Sequence, residues 1–164
     1  AHDEALFDYI DFRRDMEGLA AERAASVGSD TDLQVVGAVY AKMEAAHGKR
    51  NPETEAALDA EFHMAIVEAS HNIIMLHMMR SMFGLLREGV FYNRQIMFRQ
   101  RTTRSALLDQ HRAIHDALQA RDAAGARGAV ERHLDYVREA LTAERRAERN
   151  EAIALKRLLH EQGR

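Results

Sequence analysis

The chain has 164 residues, one proline, no cysteine and a formal charge of −3. Such a length supports one domain with a real core, and the charge leaves this segment without the electrostatic footprint of a nucleic-acid binder. The missing cysteines exclude disulfides, thiolate metal ligands and thiol catalysis together.

Abundant Ala, Leu, Met, Glu and Arg, few aromatics and no alternating β-branched runs predict an all-α chain. Punctuation divides it into six long helices. The first runs from about Leu6 to Val27 and stops at Gly28, where a missing Cβ suits a left-handed cap. Ser29 or Asp30 caps a second helix ending near His47 and Gly48. Asn51-Pro52-Glu53, an Asn cap with Pro at the first helical position, opens a third that reaches about Ser70. After the break at His71-Asn72 a fourth helix is expected to reach about Phe98. A fifth spans about Thr103 to Ala120, and a sixth begins at Asp122. Loops this short make successive helices antiparallel neighbours, so the expected architecture is an antiparallel bundle of six or seven helices. The stretch 143–164, charged around Ile153, Leu155, Leu158 and Leu159, reads as a helical extension of a core at about 6–142.

The longest apolar run, Ile73 to Met79, is broken by His77 and closed by Arg80, far short of a membrane span. The opening residues Ala1-His2-Asp3-Glu4 lack the basic and apolar segments of a signal peptide, and a cytoplasmic location is expected.

Stepping along the helices at roughly 100° per residue brings out four candidate ligands. Asp59 and His63, one turn apart, point the same way between two apolar stripes of the third helix. A carboxylate there is partly desolvated and needs a cation or several donors. His111 lies near the inward direction set by Leu107, Ile114 and Leu118. His115 falls on the shoulder of that stripe and suits a supporting role. His133, flanked in projection by Val137 and Ala140, can also point inward. Together they form a nitrogen and oxygen shell for a borderline divalent cation, zinc first, with nickel and manganese as alternatives. The competing reading is a metal-free interaction bundle whose histidines satisfy one another.

Several local sequences resemble the C-terminal effector domain of FadR-type GntR transcription regulators. They are Arg13-x-x-x-Glu17 before Leu19-Ala20-Ala21-Glu22-Arg23-Ala24, Asp59-Ala60-Glu61-Phe62-His63, Glu68-Ala69-Ser70-His71-Asn72, Gln110-His111-Arg112-Ala113-Ile114, Asp122, and Arg132-His133-Leu134. The resemblance covers about residues 6 to 142. It implies a divalent metal on Asp59, His63, His111 and His133, and a small carboxylate effector touching the metal and Arg13. Family members commonly carry Glu where this chain has Gln110. Phe91-Tyr92-Asn93-Arg94 looks most like members that sense hydroxy or keto acids, with Asn93 and Arg94 as effector contacts. The resemblance also implies a homodimer, no enzymatic activity, and operator DNA bound only by an N-terminal winged helix domain absent from this chain.

The arginines at 80, 87, 94 and 101 repeat every seven residues and read as the solvated side of a long helix or as an anion-facing wall. An enzyme reading remains at this stage. Glu44-x-x-His47 and Glu68-x-x-His71 match half of a di-iron bundle's ligand pattern, and an open metal position could activate water.

Overall fold

A computed structural model describes residues 2–87, 97 and 101–163. Among these the chain is all-helical, with α1 (His2–Val27), α2 (Asp30–His47), α3 (Pro52–Ala69), α4 (Ile73–Arg87), α5 (Arg101–Gln119) and α6 (Ala123–Gln162). The expected continuation of α4 to Phe98 lies outside the described residues, Met97 excepted.

The helix starts follow from local chemistry. Ser29 accepts from the Asp32 backbone N–H while the Asp32 carboxylate accepts from the Ser29 N–H, a reciprocal cap that satisfies two otherwise orphaned donors. Asn51 accepts from Glu53 and Thr54 N–H at 3.1 and 3.2 Å, with Pro52 in the first turn. Asp122 does the same for Gly125 at 3.0 Å.

The stops differ from expectation. Gly28 does not take the left-handed conformation; a Cβ there would lie 2.5 Å from the Ala24 carbonyl oxygen and 3.2 Å from that of Ala69. Closure of the backbone onto the Ala24 carbonyl, with the end of α3 alongside, is what glycine permits, not a positive φ. The left-handed positions fall instead on Arg50, His71 and Arg121, each at φ 53°, just after α2, α3 and α5. Arg121 is held there by its side chain, which donates to the Ala25 and Gly28 carbonyls and to Asp30.

Five helices pack in a closed cycle, each against the next in the order α1, α3, α2, α5, α6 and back to α1, while α4 packs on α3. Ion pairs fix the sense of the α1–α6 contact: Glu22 meets Arg127, Arg14 meets Asp135, and Asp11 meets Arg138. Numbers rise along one helix as they fall along the other, so the two are antiparallel. These exposed pairs add little stability themselves. The buried faces carry it, with Leu6, Ile10, Ala20, Ala21 and Ala24 on α1 and Ala126, Val130, Leu134, Val137 and Leu141 on α6. Beyond Glu144 and Arg145 every described residue of α6 is exposed, Ile153, Leu155, Leu158 and Leu159 included, in keeping with a helical extension.

The caps make this frame testable. Asn51→Ala should destabilise the protein by about 1 kcal/mol, lowering Tm by roughly 2–4 °C, whereas Asn51→Asp should hold the parent value in a circular-dichroism melt. The neighbouring change Arg50→Gly relieves a left-handed residue and should raise stability by about 1 kcal/mol; an unchanged or lower Tm would remove that account.

Candidate metal centre

Where α1, α3, α5 and α6 converge, six polar side chains are buried. Arg13, Glu17, Asp59, His63, His111 and His133 are all 8% exposed or less. Along α1 the buried stripe runs Leu6, Ile10, Arg13, Glu17, Ala20, Ala24, so an arginine and a glutamate occupy core positions at helical spacing.

Asp59, His63, His111 and His133 each present one ligand-type atom, and all four atoms lie within 4.8 Å of one another. His111 Nε2 is 3.0 Å from Asp59 Oδ1, His63 Nε2 is 3.3 Å from the same oxygen, and the two Nε2 atoms are 3.3 Å apart. The His133 ring stacks on His63 at 5.1 Å and tilts against His111 at 4.5 Å. Phe62 stands edge-on to His63 and His111 at 5.9 and 5.2 Å, an apolar wall on one side.

Two of the far nitrogens are held. His63 Nδ1 bonds to Glu17 Oε1, and Arg13 Nε bonds to the other Glu17 oxygen at 2.5 Å. His133 Nδ1 bonds to Gln110 Oε1 at 2.7 Å, leaving its Nε2 for the centre. The electrostatics follow. Burial alone would raise the Glu17 carboxyl, yet Arg13 and then His63 bring it down to about 2. Burial opposes charge on His63 too, but the Glu17 and Asp59 carboxylates outweigh it and hold this imidazole above its ordinary range. His133 is pushed well below, by burial first and then by His111 and His63.

The donor set fits a borderline divalent cation. Two atoms each about 2.1 Å from one ion are about 3.0 Å apart at a right angle and about 3.4 Å at the tetrahedral angle, the range of the separations among Asp59, His63 and His111. His63 and His133, their outer nitrogens tied back by Glu17 and Gln110, have the outer support usual for metal-ligating histidines.

Other candidates are placed differently. His115 stacks on Tyr40 at 4.6 Å and bonds to Asp116, facing α2 rather than supporting the four. Arg13 reaches the cluster through Glu17 while its guanidinium lies 5.8 and 5.7 Å from the Tyr9 and Phe83 rings. Asn93 and Arg94 lie outside the described residues. Arg80 is exposed and pairs with Glu68 at 3.6 Å, a solvated position. The two Glu-x-x-His pairs do not converge as a di-iron centre needs: Glu44 pairs with Arg112, Glu68 with Arg80, and His71 with Asp32.

Sequence reasoning gave Glu17 and Gln110 no structural role. Glu17 was detectable from its place in the α1 apolar stripe; Gln110 carried no such signal. The buried Glu55–Arg104 pair, joined at 2.6 Å, was likewise missed. It lines a cavity beside His111 with Met43, His47, Leu58 and Leu108; its volume, about 20 Å³, suits about one water molecule.

Residues 8–136 match the FCD domain family. The chain is 36% identical over 131 residues to the putative L-lactate dehydrogenase operon regulatory protein of Escherichia coli (strain K12), covering 80% of this chain and 49% of that protein. It is 31% identical over 140 residues to the Glc operon transcriptional activator of the same organism, covering 83% of this chain and 55% of that protein. The chain thus spans about half the length of these curated relatives. Among solved structures, Streptococcus agalactiae GntR superposes with a TM-score of 0.67 at 25% identity, covering 85% of this chain and 60% of that one. Escherichia coli McbR/YncC shares the fold, with a TM-score of 0.71 at 18% identity and coverage of 85% and 65%. This chain belongs to the FCD domain family, and the curated relatives it matches are named as operon regulators.

Proposed function

We propose that this domain senses a small carboxylate through a divalent metal held by Asp59, His63, His111 and His133, and so modulates DNA binding by a winged helix domain N-terminal to it. The observation that carries the reading is the convergence of three imidazoles and one carboxylate within 4.8 Å in a buried interior. Zinc is favoured by that donor set, with nickel and manganese as alternatives.

When bound, the cation supplies a Lewis-acidic anchor for an effector carboxylate. Arg13 is the nearby guanidinium that a second effector oxygen would engage, in a charge-assisted pair. Asn93 and Arg94 complete the proposed contacts. The relative named for the L-lactate dehydrogenase operon favours a hydroxy or keto acid, since lactate and its oxidation product are such a pair. The regulator acts as a homodimer in the cytoplasm. No helix among the described residues is long and apolar enough to cross a membrane.

Elemental analysis of untagged protein should find stoichiometric metal. Thermal melts over a panel of hydroxy and keto acids should show one acid raising Tm by several degrees, an effect a chelator abolishes. Asp59→Ala and His133→Ala should each lose metal and the acid response together. Retained metal with an undiminished response in both variants would remove these residues from the site; no metal and no response would leave a structural bundle.

Metal affinity should also fall on acidification. The raised His63 imidazole must give up its Nε2 proton before it can ligate, so below its elevated pKa affinity should drop about tenfold per pH unit. His133, held neutral by burial, adds no such dependence near neutrality. Metal titrations at several pH values read this directly, and a flat profile through the histidine range would contradict it.

A further inference from the structure

We propose that Glu17 and Gln110 are positioning residues that set how tightly the centre holds its cation, and that they do so unequally, Glu17 strengthening the grip of His63 and Gln110 leaving His133 the looser ligand. The inference rests on the metal-holding reading above and adds to it what governs affinity.

The geometry is parallel on the two sides. Glu17 Oε1 stands behind His63 Nδ1, and Gln110 Oε1 stands 2.7 Å behind His133 Nδ1. In each case the acceptor fixes the ring and favours the tautomer with its proton on Nδ1 and a free lone pair on Nε2. The chemistry is not parallel. Glu17 is an ionised carboxylate, buried and oriented by Arg13 at 2.5 Å, and accepting from Nδ1–H it makes the imidazole a stronger donor.

Gln110 is neutral, and its amide has two faces. With oxygen towards His133 it favours the ligating tautomer. Turned over, its N–H donates to Nδ1, the ring proton moves to Nε2, and the ligating lone pair is gone. An ionised carboxylate only accepts and offers no such alternative. His133 can thus rest as a neutral, non-ligating tautomer that the Glu17 carboxylate denies to His63, which makes it the looser of the two once both rings are neutral.

The test compares the parent protein with Glu17→Gln and Gln110→Glu. Zinc affinity is measured by competition with a chelator of known affinity, and the visible spectrum with cobalt(II) reports the ligand set. Glu17→Gln keeps the shape and an acceptor but removes the charge; it should weaken zinc roughly 10–100-fold. Gln110→Glu should tighten zinc about tenfold, with the parent's cobalt band retained in both variants. A merely structural role predicts that both exchanges weaken binding, so a loss in Gln110→Glu would overturn the proposal. Affinities unchanged in both variants would overturn it as well, while leaving the metal reading intact on a parent that binds. A parent that takes up neither zinc nor cobalt would sink both. Should Glu17→Gln fail to fold, the half-buried Gln110→Glu decides alone, since tighter binding is not something disturbed packing produces.

Discussion

Burying ionisable groups in a helical interior is tolerable only when each finds a partner, because an unpaired charge there costs several kcal/mol. This fold meets that constraint with polar links that pair its helices across the interior. Arg13 is tied to Glu17, Glu17 to His63, His63 and His111 to Asp59, and His133 to Gln110. The links span α1, α3, α5 and α6, so displacing any of these helices strands a buried partner on another. The closed cycle of packing and the polar centre are therefore one structure: the apolar faces bring the helices together, and the polar links fix their register.

Charge explains why a metal and an acid belong to the same reading. Once His63 has given up its extra proton, Arg13, Glu17 and Asp59 sum to −1, a centre that attracts a cation and repels an anion. A divalent cation takes the sum to +1, and the same interior then welcomes a carboxylate. On the proposed reading the metal is a precondition of effector binding, and thermodynamic linkage requires the effector in turn to tighten the metal.

Much of this was legible in the sequence where the signal is local. Asn51-Pro52 and Asp122 are caps whose chemistry lies within four residues, and helices start where they indicate. Asp59 and His63 share a helix face by spacing alone, while His111 and His133 align with their apolar stripes. Signals that depend on contacts between helices were not legible. Gly28 marks the right stop partly through a local contact, its backbone closing on the Ala24 carbonyl, while the approach of the α3 carbonyl at Ala69 is visible only in the fold. The Glu17 contact with His63 joins positions 46 residues apart, and Glu55 meets Arg104 over 49. Arg13 and Glu17 do stand in a buried stripe, a warning that periodicity could give; which histidine they serve is a matter of packing.

The same topology limits where regulation can act. α1, α3, α5 and α6 are joined by the polar links, and α2 closes the cycle between α3 and α5. α4 lies outside that cycle, packs on α3, and among the described residues supplies no candidate ligand. It does place Phe83 against the Arg13 guanidinium, on a helix whose other side exposes Ile73, Ile74 and Met78. A carboxylate competing with Glu17 for Arg13 would change the charge environment beside Phe83 without breaking the cycle. Such a change becomes a switch only if two settings of α4 bind the effector with different affinity. Among the described residues, α4 contributes no partner to the polar links, and so it is the element through which a signal could leave an otherwise locked bundle.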